Sequence, residues 1–145
     1  VNVLKKIRKK YPDKIIAVWC ADNWSTDKAF VLKAIRDYAD IFLPELYVSQ
    51  KGAKKQGLVR FKRYMKAVED IAPGITKKTV VGIGMFPKMI SEPSDFVDHL
   101  SAQIRLLGTD PFFKNTLGIA LYAPVYISAE DQKSIDTVIK KYFSR

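Results

Sequence analysis

Four apolar runs, each followed by a stretch with helical spacing, limit what this chain can fold into more than any other feature of its sequence. Each run closes on polar, aromatic, glycine or proline residues. The runs are Ile15 to Trp24, Asp40 to Tyr47, Thr79 to Phe86 and Leu117 to Tyr126. Buried parallel strands have this apolar character. A strand followed by a helix, four times over, predicts an α/β protein with a parallel sheet and right-handed crossovers.

The segments between the runs carry apolar residues at helical spacing. A basic helix opens the chain and ends at Pro12, because proline cannot continue a helix. Later helices are expected with apolar stripes over 30–38, 58–72, 96–107 and 135–142. Gly108 is expected to be the C′ residue that ends the third of these. The polar, basic segment Val48 to Gly57 is long for a βα connection and is expected to form a mobile lid.

The size and charge of the chain set its broad class. At 145 residues, 48% hydrophobic and 28% charged, residues 1–145 are expected to form one globular domain. The basic start without an initiator Met favours a piece of a longer chain. No apolar run approaches the roughly 20 residues that cross a bilayer, so no membrane partner is expected. The net charge of +10 comes mostly from Lys5 to Lys14 and Lys51 to Lys66, which are expected to be solvated helix faces rather than a nucleic-acid site.

The sequence offers few residues that could bind a metal or a cofactor. One cysteine and one histidine are too few for a zinc site. Cys20 lies inside an apolar run and is expected to be a small buried hydrophobe. His99 lies off the apolar stripe of its helix and is expected at the surface. Gly82 and Gly84 lack the third glycine of a dinucleotide-binding fingerprint, so we expect no cofactor and no metal.

The alternation of side chains along the last two runs distinguishes between kinds of parallel sheet. One face carries Gly82, Gly84, Gly118 and Ala120, and the other carries branched hydrophobic residues. A face of small residues suits the tapering inside of a barrel. An open, doubly wound sheet prefers bulky residues on both faces. The pattern therefore favours half of a (β/α)8 barrel, with an open flavodoxin-like sheet as the alternative.

The ends of the four runs read VWCADNW, LPELY, GIGMF and IALYAPVY, and the last helix ends KKYF. Over nearly the whole chain these stretches resemble strands five to eight of a glycoside-hydrolase-type TIM barrel. The resemblance implies a carbohydrate substrate and a secreted or periplasmic location. It also implies that the other half of the barrel is a missing N-terminal half-barrel or a second copy in a homodimer.

Glu45 and Asp22 are the candidate catalytic residues, because glycoside hydrolysis uses two carboxyl groups. They end neighbouring runs, so their carboxyl groups are expected within the roughly 5 to 9.5 Å that the known mechanisms use. Glu45 would be the acid/base or the nucleophile, and Asp22 its partner. Two structural roles compete with this hypothesis. Asp22 would then cap the following turn, and Glu45 would pair with a lysine.

Aromatic rings gather at the same predicted rim, where flat rings stack on the apolar faces of sugars. The candidate substrate-binding residues are Asn23, Trp24, Tyr47, Phe86, Tyr122 and Tyr126. Trp19 has the opposite parity to Asp22 and is expected to face the helices. The leading hypothesis is a glycoside-hydrolase-like protein that acts on an oligosaccharide or polysaccharide. The alternatives are a non-catalytic carbohydrate-binding half-barrel and a flavodoxin-like binder of phosphate or nucleic acid.

Overall fold

The structure is a computed structural model that describes residues 2–20, 29–46, 54–84, 96–122 and 127–143. The described strands are β1 (Ala17–Cys20), β2 (Ile41–Leu46), β3 (Val80–Gly84) and β4 (Gly118–Tyr122). The described helices are α1 (Asn2–Lys10), α2 (Ala29–Tyr38), α3 (Lys54–Ile71), α4 (Phe96–Thr109) and α5 (Ala129–Phe143). The strands are all parallel and lie in the order β1-β2-β3-β4. The α/β class with a parallel sheet is confirmed.

The helices cover one face of this sheet. The side chains of Cys20, Phe42, Val81 and Ile83 point to one side and are buried in a single apolar cluster with residues of the helices. The alternate residues point to the other side, where they are exposed or half-buried. We call this side the open face, and its central residues are Trp19, Leu43, Glu45, Gly82, Ala120 and Tyr122.

Strand order and helix placement are linked. When consecutive strands are neighbours, right-handed crossovers put every connecting helix on the same face of the sheet. A doubly wound, flavodoxin-like sheet has a non-sequential strand order and helices on both faces. The sequential order of the described strands therefore favours the half-barrel arrangement. The described helices form a row in which α1 packs on α2, α2 on α3, α3 on α4, and α4 on α5.

The sheet bends toward its open face. Trp19 on β1 and Tyr122 on β4 meet edge to face with ring centroids 5.1 Å apart. Strand pairing places Trp19 level with Gly118, four residues before Tyr122. In a flat sheet the Cα atoms of Trp19 and Tyr122 would lie about 20 Å apart, which is farther than the two side chains can span. The two edge strands must therefore curve toward each other.

The direction of the bend can be read from the same contact. Drawn on the flattened sheet, the line from Trp19 to Tyr122 crosses three strand spacings and advances by four residues along the strands. It is therefore inclined by about 40° to the direction perpendicular to the strands. Closest approach across a bent sheet runs perpendicular to the bending axis, so the strands are inclined to that axis by the same angle. Strands in a (β/α)8 barrel tilt by about 36°.

Two expectations about helix ends are wrong. Helix α3 begins at Lys54, so the last residues of the predicted lid at 48–57 are helical, and residues 48–53 lie outside the described ranges. Gly108 lies inside α4 rather than after it. A Cβ atom on Gly108 would lie 2.6 Å from Cβ of Tyr142, so the glycine allows α4 and α5 to approach closely. Sequence spacing does not reveal this packing between helices.

We expect Gly108→Ala to destabilise the protein by about 1–2 kcal/mol, because the clash with Tyr142 outweighs the helix preference of alanine. Urea unfolding followed by circular dichroism measures the change. Arg105→Ala, at an exposed position of the same helix, is the control and should change the free energy of unfolding by less than about 0.5 kcal/mol. A Gly108→Ala protein more stable than wild type would contradict this packing of α4 and α5.

The carboxylate of Glu69 stabilises the connection between α3 and β3 through hydrogen bonds. The side chain of Glu69 accepts hydrogen bonds from the backbone N–H of Gly74 (2.6 Å) and from the N–H and hydroxyl of Thr76 (2.9 and 2.6 Å). Gly74 has φ 90°, a left-handed conformation that suits glycine. Burial raises the pKa of Glu69, but the hydrogen bonds from Thr76 and Gly74 outweigh it and lower the pKa below its ordinary value.

Because the pKa of Glu69 is lowered in the folded state, its stabilising effect is present above the unfolded pKa and is lost as the pH falls through the folded pKa. We expect Glu69→Gln to cost about 1–2 kcal/mol at neutral pH. That difference should shrink as the pH falls from about 5 to about 3. The measurement is urea unfolding across pH, with Asp70→Asn at the exposed neighbouring position as the control. A difference independent of pH would contradict the role of the ionised carboxylate.

Candidate functional site

Glu45 lies near the C-terminal end of β2, on the open face and half-buried. It is the pairing partner of Gly82 on β3, whose lack of a side chain leaves space beside the carboxylate. The preceding residue, Pro44, is buried and pairs with Cys20, the last described residue of β1. Proline has no backbone N–H, so Pro44 adds no backbone donor to the sheet.

The Glu45 carboxylate has no cationic partner among the described residues. The ion pairs of those residues join Arg8 to Asp40, Arg36 to Asp37 and Lys62 to Asp110. Pairing of Glu45 with a lysine, the structural alternative to a catalytic role, is therefore not observed in the described part of the chain. Glu45 is also the one carboxylate that the described strands place on the open face.

The thiol of Cys20 lies on the opposite face, under the helices. It is 1% exposed. Burial and, to a smaller extent, the negative charge of Glu45 raise the pKa of Cys20 to about 12. The side chain is therefore a neutral thiol at physiological pH, and the expectation that Cys20 is a small buried hydrophobe is confirmed.

Trp19 and Tyr122 form the aromatic part of the site. Tyr122 is the last residue of β4 and is 44% exposed on the open face, on the same side of the sheet as Glu45. The expectation that Trp19 faces the helices is wrong, because Trp19 is 52% exposed and contacts Tyr122. Cys20 faces the helices, and side chains alternate along β1, so the neighbouring Trp19 faces the open side.

Sequence reasoning thus missed Trp19 as a site residue. The prediction fixed the parity of β1 from Asp22, which lies outside the described residues. A signal was present in β3 and β4, whose small open-face residues leave room for large rings from a neighbouring strand. A bulky tryptophan in β1 complements Gly82 and Ala120 better than it fits a tightly packed helix layer.

Most of the other candidates cannot be placed. Asp22, Asn23, Trp24, Tyr47, Phe86 and Tyr126 lie outside the described residues. The separation of the Asp22 and Glu45 carboxyl groups therefore stays a prediction. Of the candidate residues, the structure places Glu45 and Tyr122 and brings Trp19 to the same face.

His99 is 7% exposed, so the expectation that it lies at the surface is wrong.

A cavity of about 350 Å³ lies between α4 and α5, lined by residues that include Asp98, Arg105 and Lys141. It is on the outer helix layer, away from the carboxylate and rings of the open face. Across the described residues, no group of three His, Cys, Asp or Glu side chains is arranged to hold a metal ion.

Comparisons with protein-family models, with characterised proteins and with solved structures found no match to this chain. None of the described helices is long and apolar enough to cross a membrane.

We expect the Cys20 thiol of the folded protein to be unreactive toward Ellman's reagent at pH 8. A thiol with a pKa of about 12 is only about 0.01% ionised at that pH, and the thiolate is the reactive form. The same protein in guanidinium chloride is the control and should release one equivalent of product. Rapid reaction of the folded protein would contradict the burial of Cys20 under the helices.

Proposed function

We propose that the protein is glycoside-hydrolase-like and acts on an oligosaccharide or polysaccharide at the C-terminal ends of its strands. One observation carries the proposal. A half-buried carboxylate, Glu45, lies without a described cationic partner on the same open face as two exposed rings, Trp19 and Tyr122. A carboxylate that packing and ion pairing leave available is suited to proton transfer or nucleophilic attack.

The chemistry divides between the carboxylate and the rings. Protonated Glu45 would donate its proton to the glycosidic oxygen as the bond to the anomeric carbon breaks, or ionised Glu45 would attack that carbon. Asp22 would supply the second carboxyl group. The exposed ring of Tyr122 would bind the apolar face of a sugar, and Trp19 would support it from β1.

Parallel α/β sheets place ligands in this position. The carboxyl ends of parallel strands gather at one end of the sheet, and barrels of this type carry their active sites there. Glu45 and Tyr122 both lie within two residues of their strand ends.

We expect Glu45→Gln to lower kcat on the protein's glycoside substrate by about 10²- to 10⁴-fold while substrate affinity changes little. The amide has nearly the same size as the carboxylate but can neither donate a proton nor act as the nucleophile. Turnover of a panel of aryl glycosides and natural oligosaccharides measures kcat, and titration calorimetry measures affinity. Tyr122→Ala should instead weaken binding.

The matched control is Asp13→Asn, which removes an exposed carboxylate before β1, at the opposite end of the strands. It should leave kcat and affinity unchanged. Full activity in Glu45→Gln would remove Glu45 from the mechanism. A wild-type protein that neither hydrolyses nor binds any carbohydrate of the panel would contradict the proposal as a whole.

A second candidate is a carbohydrate-binding protein without catalysis. It is favoured by the single carboxylate that the described strands place on the open face, because hydrolysis needs two. The same experiments separate the two functions. Binding that depends on Tyr122, with no turnover of any glycoside, would select this candidate.

A further inference from the structure

Two edges and one face of the sheet are uncovered in the described part of the chain. β1 and β4 are the edge strands, so each leaves backbone N–H and C=O groups on its outer side unpaired. The open face leaves 52% of Trp19 and 44% of Tyr122 accessible. Exposed edges and apolar patches of this kind mark interaction surfaces. A partner that covers all three at once supplies strands to both edges.

The inclination of the strands and their sequential order indicate which closed barrel the partner completes. The strands are inclined to the bending axis by about 40°, calculated from the Trp19–Tyr122 contact and the strand spacings. That inclination lies in the range of 35–45° that closed β-barrels show, and the closed barrel built from consecutive parallel strands with helices on the outside has eight strands. The four described strands are half of such a barrel, so the partner contributes four more.

The helix row fixes how many helices it supplies. A (β/α)8 barrel has eight grooves between neighbouring strands on its outside, and one helix fills each. Helices α2, α3 and α4 connect neighbouring strands and fill the three grooves inside the described sheet. Helix α1 packs on α2 beyond β1, and α5 packs on α4 beyond β4, so these two fill the grooves that closure creates. Three grooves are left.

This count argues against a second copy of the chain. A symmetric dimer would place β4 of one copy beside β1 of the other. The groove between them would then receive both α5 of the first copy and α1 of the second, and one groove has room for one helix. Ten described helices, five from each copy, would compete for eight grooves. The partner is instead a segment that begins and ends on a strand.

The position of α1 shows where that segment lies along the chain. The guanidinium of Arg8 donates to the carbonyl oxygens of Tyr38 (3.2 Å) and Pro12 (2.9 Å) and pairs with Asp40. Asp40 in turn accepts a hydrogen bond from the N–H of Ile16 (2.8 Å), so α1 is fixed beside β1. A helix that precedes a parallel strand and is anchored beside it has the position of a right-handed crossover from a neighbouring strand on that side.

We propose that the open face and both sheet edges bind a segment of four strands and three helices that precedes α1 in the same polypeptide and closes an eight-stranded barrel. Its last strand pairs with β1 and leads into α1. Its first strand pairs with β4. The C-terminal ends of the strands, where Glu45 and Tyr122 lie, stay accessible at the mouth of such a barrel. The proposal rests on backbone geometry and helix packing rather than on the carbohydrate function.

The open-face residues fit the inside of such a barrel. In an eight-stranded barrel the pairing register shifts by about one residue per strand relative to the barrel axis. Trp19 therefore lies at the same height along that axis as Gly82, and Leu43 at the same height as Ala120. Each pair joins a large residue to a small one. A Cβ atom on Gly82 would meet only the carbonyl oxygen of Pro44 at 3.5 Å and Cα of Glu45 at 3.8 Å, both ordinary contacts. Closure would fill the space above Gly82 with side chains of the other half.

The test compares two proteins: the 145-residue chain and the polypeptide extended N-terminally by the upstream part of the same reading frame. Both carry Trp24→Phe, which leaves Trp19 as the single tryptophan of these 145 residues. Tryptophans of the extension are also replaced by phenylalanine. Iodide quenching of fluorescence then measures the accessibility of Trp19. We expect a Stern–Volmer constant several-fold smaller in the extended protein.

Gly82→Val gives a second measurement with opposite expectations in the two proteins. In the 145-residue chain the valine has room, so the urea midpoint should stay the same or rise. In the extended protein it overpacks the barrel, and the midpoint should fall by roughly 1 M. Lys9→Ala, at an exposed position of α1, is the control and should leave both midpoints unchanged.

Three results would overturn the proposal. The first is an upstream reading frame that lacks four further strand-and-helix patterns. The second is equal quenching of Trp19 in the two proteins. The third is a 145-residue chain that sediments as a dimer with Trp19 protected, which would show that a second copy is the partner. None of these measurements uses a sugar, so failure here and failure of the proposed function are distinguishable.

Discussion

Burial of one face of the sheet under a single layer of helices is the constraint on which the rest of the structure depends. Consecutive parallel strands with right-handed crossovers place every connecting helix on the same side. The helix-covered face therefore collects the large apolar residues, among them Phe42 and Ile83, which are fully buried. None of the described helices lies on the other face, and the small residues of β3 and β4 there allow the sheet to curve. The contact between Trp19 and Tyr122 is the consequence of that curvature.

The same constraint explains the chemistry of the site. Alternation along β2 buries Pro44 under the helices and turns Glu45 to the open face. Alternation along β1 buries Cys20 and exposes Trp19. A reactive group must be accessible, and of these residues only those on the open face are. The raised pKa of Cys20, caused first by burial and then by the charge of Glu45, makes the thiol inert while the carboxylate is left available.

The strand-and-helix order and the parity of three strands could be predicted from the sequence, because both depend on local patterns of apolar residues. The faces of β3 and β4 follow from the alternation of small and branched residues. In β2 the prediction placed Glu45 on the functional face and assigned the other side chains from it. The errors concern contacts between elements that are distant in the sequence. Gly108 looks like a helix end, but it is a point of contact with Tyr142. His99 looks like a surface residue, but neighbouring elements bury it. The side of β1 depends on packing against helices that the strand itself does not encode.

The central claim is that the sheet is curved, with Trp19 and Tyr122 facing each other across its open side. Nuclear Overhauser effects between the Trp19 indole and the Tyr122 ring test it most directly, in protein labelled so that the two residues are resolved. With ring centroids 5.1 Å apart, we expect strong cross-peaks between their ring protons. A Trp19 indole that shows cross-peaks to the methyl groups of Leu32 and Ile35 on α2, and none to Tyr122, would contradict the curved sheet and the site built on it.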